Sequence, residues 1–160
     1  MEIRRVRPED WQALRDLRLR ALTTDPDAFG GTLAEATARG DAEWRARADS
    51  FEYVSFVADT PGGFVGMAVG GPAPDRPGIA ALQGMWVAPE ARDQGIGGTL
   101  MDAVEEWARS AGYTLIGLGV TTTNEPAIRL YEHKGYTDIG ERCPLREGTD
   151  LVIQIMGKPL

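Results

Sequence analysis

The sequence of 160 residues has few of the groups that build cross-links, metal sites or membrane spans. Its single cysteine, Cys143, excludes an internal disulfide and any multi-cysteine zinc site, and we expect an inert thiol in the core. No uncharged apolar run approaches the roughly 18 residues that a membrane-spanning helix requires, and no segment resembles a signal peptide. We therefore expect a cytoplasmic protein without a membrane partner or a bound metal.

A long basic run is also missing. The chain has 17 Lys and Arg against 24 Asp and Glu, a formal net charge of -7. This balance argues against nucleic acid as a partner. The N-terminal segment is nevertheless locally basic, with six arginines: Arg4, Arg5, Arg7, Arg15, Arg18 and Arg20. Solvated faces and ion pairs with neighbouring carboxylates explain these arginines better than an anion site does.

The composition is that of an ordinary globular domain, and strands alternate with helices. Hydrophobic residues make up 42% and charged residues 26%, which is typical of a folded domain. There are no repeats or linkers, so we expect residues 1–160 to form one domain. Apolar runs and turn signals predict strands over 2–7, 53–58, 64–69, 79–87, 114–120, 136–143 and 151–156. Helical spacing predicts helices over 8–22 and 33–48, and two more beginning near residues 96 and 124.

A glycine-rich loop between a strand and a helix is the most informative segment. Pro89 stops the apolar run that ends at Val87, because proline has no amide with which to continue a sheet. Gly95, Gly97 and Gly98 then stand where an amphipathic helix begins. The first amides of a helix lack backbone partners and the helix dipole is positive there, so the loop can hold a phosphate. Without Cβ atoms, the glycines let that phosphate approach closely.

Two common nucleotide-binding loops do not match this segment. A nucleoside-triphosphate loop would place Gly-Lys-Ser or Gly-Lys-Thr after the glycines, and neither is present there. A dinucleotide-binding loop needs a third glycine at the position of Leu100, and it belongs early in a βαβ unit. A different phosphate loop and a plain structural entrance to the helix remain as interpretations.

A second segment follows the next predicted strand. Asn124 is a favoured N-cap residue, and Pro126 falls in the first helical turn, where its missing amide costs little. Gly135 suits a left-handed C-terminal cap. These residues predict a short helix that carries Tyr131 and leads directly to Tyr136.

The two segments together resemble the GNAT superfamily of N-acetyltransferases. Two motifs in the family's order carry the resemblance: Arg92-x-x-Gly95-x-Gly97 after Val87-x-Pro89, and Asn124 followed by Tyr131 and Gly135-Tyr136. The resemblance implies a single-domain α/β fold, with a mixed central β-sheet, two splayed parallel strands and helices on both faces. It also implies acetyl-CoA as the acyl donor, which would enter the gap between the splayed strands.

The resemblance also implies which residues hold that cofactor. The backbone of Met85 and Val87 would bond the pantetheine arm, because diverging strands leave ladder groups without partners. Asn124 would bond the same arm or a nearby water, besides capping its helix. The pyrophosphate would lie on the glycine-rich loop, held by Arg92, Gln94, Gly95, Ile96, Gly97 and Gly98. Asp93 stands where many relatives have glycine, so its carboxylate must point away from the pyrophosphate or weaken binding.

Tyr131 is the residue to which the resemblance assigns the general acid. A phenol has a pKa of about 10 and a thiol one of about 8.5, so Tyr131 can donate a hydrogen bond or a proton to the departing thiolate. Its alternative role is aromatic packing. His133 lies two residues further on, on a different face of the helix, and we expect it to be exposed to solvent.

The sequence leaves the general base open. Some relatives place a glutamate on the strand before the glycine-rich loop, but the strand predicted at 79–87 has no carboxylate. Gln83 on that strand can hold a water but cannot be the base. The alternatives are a water chain, Glu35, Glu141 or another acid on a flanking loop.

We expect the acceptor amine to bind among the first two helices, the loop at 70–78 and the closing hairpin. Phe29 and Trp44 either wall this pocket or anchor the core, while Glu35 or Asp41 would attract a cationic amine. The candidate substrate residues are Phe29, Glu35 and Gln83. The partner is an amine-bearing small molecule or a peptide.

Three functions stay open at this point. The first is transfer of an acetyl group from acetyl-CoA to a primary amine by direct attack. The second is a noncatalytic acyl-CoA-binding or sensing module. The third is a nucleotide-binding protein that uses the same loop. Members of the family are often dimers, so a homodimer is one option for the assembly.

Overall fold

The structure, a computed structural model, describes residues 1–160. Seven strands form one mixed sheet in the order β1-β2-β3-β4-β5-β7-β6. The strands are β1 Glu2–Arg5, β2 Val54–Thr60, β3 Gly63–Pro72, β4 Ala80–Val87, β5 Leu115–Thr121, β6 Thr137–Pro144 and β7 Val152–Pro159. The helices are α1 Trp11–Thr24, α2 Leu33–Ala38, α3 Asp41–Ala48, α4 Ile96–Ser110 and α5 Glu125–His133. None of the helices is both long and apolar enough to cross a membrane.

Neighbouring residues of the central strands supply two cores on opposite faces of the sheet. Val57 and Met67 pack with α1, α2 and α3, whereas Ala58 and Ala68 pack with α4 and α5. This alternation follows from the two-residue period of a strand. It confirms the α/β fold class with helices on both faces.

Helix α4 packs on its face of the sheet through a continuous apolar stripe. Leu100, Met101, Val104 and Ala108 are fully buried, and each of the three large side chains contributes about 1.5–3 kcal/mol through burial. Trp107 at the same spacing is half-buried. The stripe fixes α4 against β3 and β4, so the loop before α4 has a defined place at the end of β4.

The parallel strands β4 and β5 separate soon after they begin. They pair only at Ala80 with Ile116 and at Ala81 with Gly117. Beyond this point β5 continues to pair with β7 as far as Thr121. The sheet is therefore mixed and splayed between β4 and β5, as predicted.

A β-bulge bends β4 in its middle. Trp86 pairs with Met67 and Gln83 with Val69, so Gly84 and Met85 oppose a single residue of β3. Gly84 has φ +58°, in the left-handed region that favours glycine. The bulge changes the direction of the chain between Gln83 and Met85.

Two expectations about local structure were wrong. The helix predicted over 33–48 is two helices, because Arg39 and Gly40 are extended and Gly40 caps α3. Cys143 is an exposed thiol rather than a core residue. It lies on β6, the edge strand, where all eight residues are exposed.

Candidate active site

The gap between β4 and β5 opens into a cavity of about 650 Å³. Its wall combines the ends of both strands, the loop before α4, the first turns of α4 and α5, and the segment after α1. Nearly all residues that the sequence assigned to the cofactor and the acid line it, namely Met85, Val87, Arg92, Gly95, Ile96, Gly97, Gly98, Asn124 and Tyr131. Gln94 is exposed and does not line this cavity, which we call the splay cavity.

The first turn of α4 presents free amides to the splay cavity. The first hydrogen bond of the helix joins the Thr99 amide to the Gly95 carbonyl over 3.1 Å. The amides of Ile96, Gly97 and Gly98 therefore have no partner within the helix. Together with the helix dipole, they make this end of the cavity suitable for an anion.

Each of the three glycines in this loop meets a different constraint. Gly95 has φ +78°, and nothing lies near the position of its absent Cβ. A Cβ on Gly97 would lie 2.8 Å from Met85 Cε and 3.1 Å from Leu130 Cδ2. A Cβ on Gly98 would meet only Lys134 Cδ, at an ordinary 3.9 Å. Backbone conformation thus explains why position 95 is glycine, and packing explains why position 97 is. Neither explains the glycine at position 98.

The strand β4 turns backbone groups toward the gap at alternate residues. The Ala88 amide bonds the Val65 carbonyl on β3 over 2.8 Å, so Met85 and Val87 face the other way. The Val87 carbonyl accepts a hydrogen bond from Arg92 Nε over 2.9 Å. Met85 therefore keeps its free groups, while the Val87 carbonyl is already satisfied.

Arg92 is held by the chain itself. Its Nη2 donates to Asp25 Oδ2 over 2.7 Å, and Trp86 Nε1 donates to the same oxygen over 2.7 Å. Burial alone would raise the pKa of Asp25, but these two hydrogen bonds lower it below its ordinary value. This role of Asp25 has no local signal in the sequence, since 67 residues separate it from Arg92. The cluster ties the segment after α1 to the end of β4 and offsets the charge of Arg92.

Tyr131 is buried in the wall of the splay cavity, with 7% of its surface exposed. Burial raises the pKa of its phenol to about 12, and no hydrogen bond contributes to that shift.

Asn124 caps α5 through Oδ1, which accepts from the Ala127 amide over 3.4 Å. His133 is exposed, as predicted. Asp93 is exposed at the cavity rim with φ +62°, which explains why glycine suits this position.

The candidate acceptor residues lie apart from the splay cavity. Phe29 is buried in the core beneath α1, and Glu35 is exposed on α2. Gln83 lines a second cavity of about 530 Å³, together with Trp44 and Gly84. Trp44 is also a core residue, so it both packs and walls a pocket. We call this second space the arginine cavity, after Arg18 and Arg47 in its lining.

Comparison with known proteins identifies the family. A model of the Acetyltransferase (GNAT) family matches residues 11–136, which include the splay cavity and both motifs. The chain belongs to the GNAT family of acetyltransferases. This confirms the resemblance to the family that the motifs indicated.

Individual relatives agree with the family and differ in substrate. An aminoglycoside N(6')-acetyltransferase type 1 from Klebsiella aerogenes is 36% identical over 66 residues, which are 41% of this chain and 43% of that protein. The chain thus spans less than half of this relative. A ribosomal-protein-alanine N-acetyltransferase from Brucella melitensis superposes with a TM-score of 0.81 at 25% identity, over 100% of both chains. The structure of yncA from Salmonella typhimurium with acetyl-CoA has a TM-score of 0.79 at 23% identity, over 100% of this chain and 94% of that one.

Proposed function

We propose that the protein transfers an acetyl group from acetyl-CoA to a primary amine by direct attack. One observation carries the proposal: the gap between β4 and β5 opens into a single cavity lined by both family motifs. The free amides of α4 lie at one end of this cavity, and Tyr131 belongs to the same wall.

The residues of the splay cavity fit acetyl-CoA in three respects. The amides of Ile96, Gly97 and Gly98 suit a pyrophosphate. The unpaired backbone groups of Met85 suit the amides of a pantetheine arm, since buried ladder groups need partners. Gly98 leaves room for close approach of a ligand. Arg92 acts chiefly by holding the loop, because Asp25 and the Val87 carbonyl take two of its five N–H donors and fix the position of the side chain.

Tyr131 acts as the acid that assists departure of the thiolate. When bound, acetyl-CoA supplies the activated thioester, which the acceptor amine attacks. The phenol, with its pKa raised to about 12, stays protonated below about pH 11, which includes the pH values at which an acceptor amine of ordinary pKa begins to lose its proton. A thiol, with a pKa of about 8.5, is the stronger acid, so complete proton transfer from Tyr131 to sulfur is unfavourable. Hydrogen-bond donation to the developing thiolate is therefore its main contribution.

The acceptor loses its proton without a carboxylate base on β4. None of the residues Ala80–Val87 is acidic, and Gln83 can only orient a water. Glu141 forms an ion pair with Arg76, and Glu35 is exposed on α2. We propose that the amine binds in its neutral form or loses its proton to solvent.

The relatives suggest two classes of acceptor: the small-molecule amine of an aminoglycoside and an alanine of a ribosomal protein. The noncatalytic alternative predicts that acetyl-CoA binds and no amine is acetylated. The third alternative predicts affinity for ATP or NAD equal to that for CoA.

The test compares the wild-type protein with Tyr131→Phe. Release of free CoA thiol is followed with a panel of primary amines, and acetyl-CoA binding is measured separately by calorimetry. We expect Tyr131→Phe to lower kcat about 10²- to 10³-fold, the effect of removing one hydrogen-bond donor to a developing negative charge, with acetyl-CoA binding unchanged. His133→Phe, an exposed position two residues further along α5, is the control and should keep its rate. Equal rates for wild type and Tyr131→Phe would refute the acid role, and a wild type without turnover would favour the binding module.

A further inference from the structure

The arginine cavity adjoins the splay cavity across one strand. Gln83 and Gly84 line the arginine cavity, whereas Met85, Trp86 and Val87 line the splay cavity. The β-bulge at Gly84 and Met85 is the point at which β4 passes from one to the other. The two cavities are thus lined by consecutive residues of β4, and the bulge lies where one lining gives way to the other.

Arg18 is the unusual residue of the arginine cavity. It lies on α1 one turn from the buried Leu14 and Leu22, so its position belongs to the apolar face of the helix. Its Nε is buried and has no hydrogen-bond partner. Its Nη1 lies 3.2 Å from the point that a Cβ on Gly84 would occupy, beside the bulge. The ring of Phe29 stacks beneath the guanidinium, with its centroid 4.5 Å from Cζ.

The charge of Arg18 is not balanced within the cavity. Arg4, Arg15 and Arg20 on the same segment all form ion pairs, as the sequence predicted, but Arg18 forms none. Arg47 also lines the cavity without an ion pair, and no aspartate or glutamate is among the lining residues. Burial, then the charges of Arg47 and Arg39, lower the pKa of Arg18 to about 10. A partly buried cation without a partner costs stability, which a bound anion would recover.

Two neighbouring carboxylates do not balance the charge of these arginines. Glu43 lies close enough to raise the pKa of Arg47, but it is exposed and outside the cavity lining. Glu35 Oε2 and Arg18 Nη2 both approach the position of a Cβ on Gly31, at 4.0 and 3.8 Å, without forming an ion pair.

We propose that the arginine cavity is the acceptor pocket, and that Arg18 and Arg47 bind an anionic group of the acceptor. The inference rests on the proposed acetyl transfer and adds the substrate class: a small primary amine that carries a carboxylate or a phosphate, with a free amino acid as the simplest case. The anion lies between the two guanidinium groups, which places the amine at the bulge. Polyamines and other polycations are rejected, because both arginines repel them. Gln83, Ser50 and Tyr53 supply neutral polar groups to the same pocket.

The experiment uses pairs of acceptors that differ only in the anion. Each amino acid is compared with its carboxamide, and phosphoethanolamine with ethanolamine; spermidine represents a polycation. The acetylation rate is measured at one pH with saturating acetyl-CoA. A carboxamide has the lower amine pKa and would react faster if the anion were not recognised. We expect kcat/KM to favour the anionic member of at least one pair by about tenfold or more, the worth of a charge-assisted hydrogen bond. The preferred pair identifies carboxylate or phosphate as the anion.

Variants assign that preference to the arginines. Arg18→Met and Arg47→Gln should each lose most of the preference through KM, while Arg18→Lys should keep part of it. Arg45→Gln is the matched control, because Arg45 is an exposed neighbour of Arg47 outside the cavity lining. Calorimetry with acetyl-CoA checks that each variant is folded. Arg47 is exposed, so its variant tests the proposal even where Arg18→Met fails to fold.

The outcomes separate this inference from the proposed function. Preference for neutral amines or spermidine, with normal acetyl-CoA binding, would overturn the anion pocket and leave acetyl transfer intact. An anion preference that survives both Arg18→Met and Arg47→Gln would also overturn it. Absence of acetyl-CoA binding and of any turnover would reject the proposed function, and the inference with it.

Discussion

At the scale of single residues, Gly98 is the most informative position in the loop before α4. Its neighbours Gly95 and Gly97 are explained by a left-handed backbone and by close packing against Met85. Gly98 has an ordinary backbone and open space around it. Glycine in a helix interior normally lowers the free energy of unfolding by about 1 kcal/mol relative to alanine. We propose that room for a bound phosphate is the reason for a glycine here.

Gly98→Ala should therefore separate stability from binding. We expect the free energy of unfolding to stay unchanged or to rise by up to about 1 kcal/mol, because alanine favours the helix. The acetyl-CoA dissociation constant should rise about tenfold or more, since the methyl group enters the cradle. Denaturant unfolding and calorimetry measure the two quantities. Gly40→Ala, remote from the cavity, is the control for affinity alone, because Gly40 caps α3 and alanine there is expected to lower stability. Unchanged affinity in Gly98→Ala would show that no phosphate lies against this turn.

Asp93 offers a second test at one residue. Its φ of +62° is strained for a side chain, and its carboxylate carries a negative charge at the rim of a cavity proposed for an anion. We expect Asp93→Asn, which tolerates the same backbone, to bind acetyl-CoA about two- to fivefold more tightly at low salt. Asp93→Gly should add stability by relieving the strain. Calorimetry at two salt concentrations measures the charge effect, and an affinity for Asp93→Asn below that of wild type would contradict it.

At the scale of elements, the segment after α1 and the end of β4 form one unit. Asp25 joins them by accepting from both Trp86 and Arg92. The cavity wall that carries Val87 is thereby held in place before any ligand arrives. Such preorganisation lowers the ordering cost of binding.

Asp25→Asn should weaken this unit in a pH-dependent way. The pKa of Asp25 is lowered in the folded state, so its contribution is present above about pH 4 and is lost as the pH falls through the lowered value. We expect the variant to lose about 1 kcal/mol at pH 7, a value reduced by the partial exposure of the pair, and to converge on the wild type in acid. Urea unfolding from pH 7 down to pH 3 measures both curves. Asp16→Asn, which removes a local pair with Arg15, is the control. A difference that persists or grows in acid would contradict the assignment.

Some features of these elements could be predicted from the sequence, and others could not. Strands, helices and both motifs follow from local periodicity and caps, and Asn124 and Gly135 cap α5 as predicted. The break at Arg39 and Gly40 was missed, because one glycine is a weak signal within a helical pattern. The exposure of Cys143 depends on β6 being the edge strand, which sequence alternation does not reveal.

Two functional contacts were missed for different reasons. The tie between Asp25 and Arg92 joins residues far apart in sequence and has no local signal. Arg18 did have a local signal in the sequence. It is spaced by four residues from Leu14 and from Leu22, which places its charge on the buried face of α1.

At the scale of the whole molecule, two cavities lie on either side of one bulged strand. The splay cavity holds the free amides of α4 and Tyr131, and the arginine cavity holds two unpaired guanidinium groups. Although the net charge is -7, the lining of the arginine cavity has two arginines and no carboxylate, so this cavity is locally positive. The overall charge of the chain is thus a poor guide to the local charge of a cavity.

The pH dependence of turnover tests this arrangement. Without a carboxylate on β4, the rising limb of kcat/KM should follow the amine pKa of each acceptor and shift between acceptors of different pKa. Tyr131 should cause no decline below about pH 11, because its pKa is raised to about 12. Rates measured from pH 6 to pH 10 with two acceptors decide the question. A rising limb at one fixed pH for both acceptors would reveal a general base in the protein.

The central claim is that the splay cavity binds acetyl-CoA, and calorimetry tests it most directly. The purified protein is titrated with acetyl-CoA and CoA, and with ATP and NAD as controls. We predict micromolar binding of acetyl-CoA and CoA at one site per chain, with no heat from ATP or NAD. Absence of binding by both CoA species, or equal binding of ATP, would contradict the account and leave the glycine-rich loop as a structural entrance to α4.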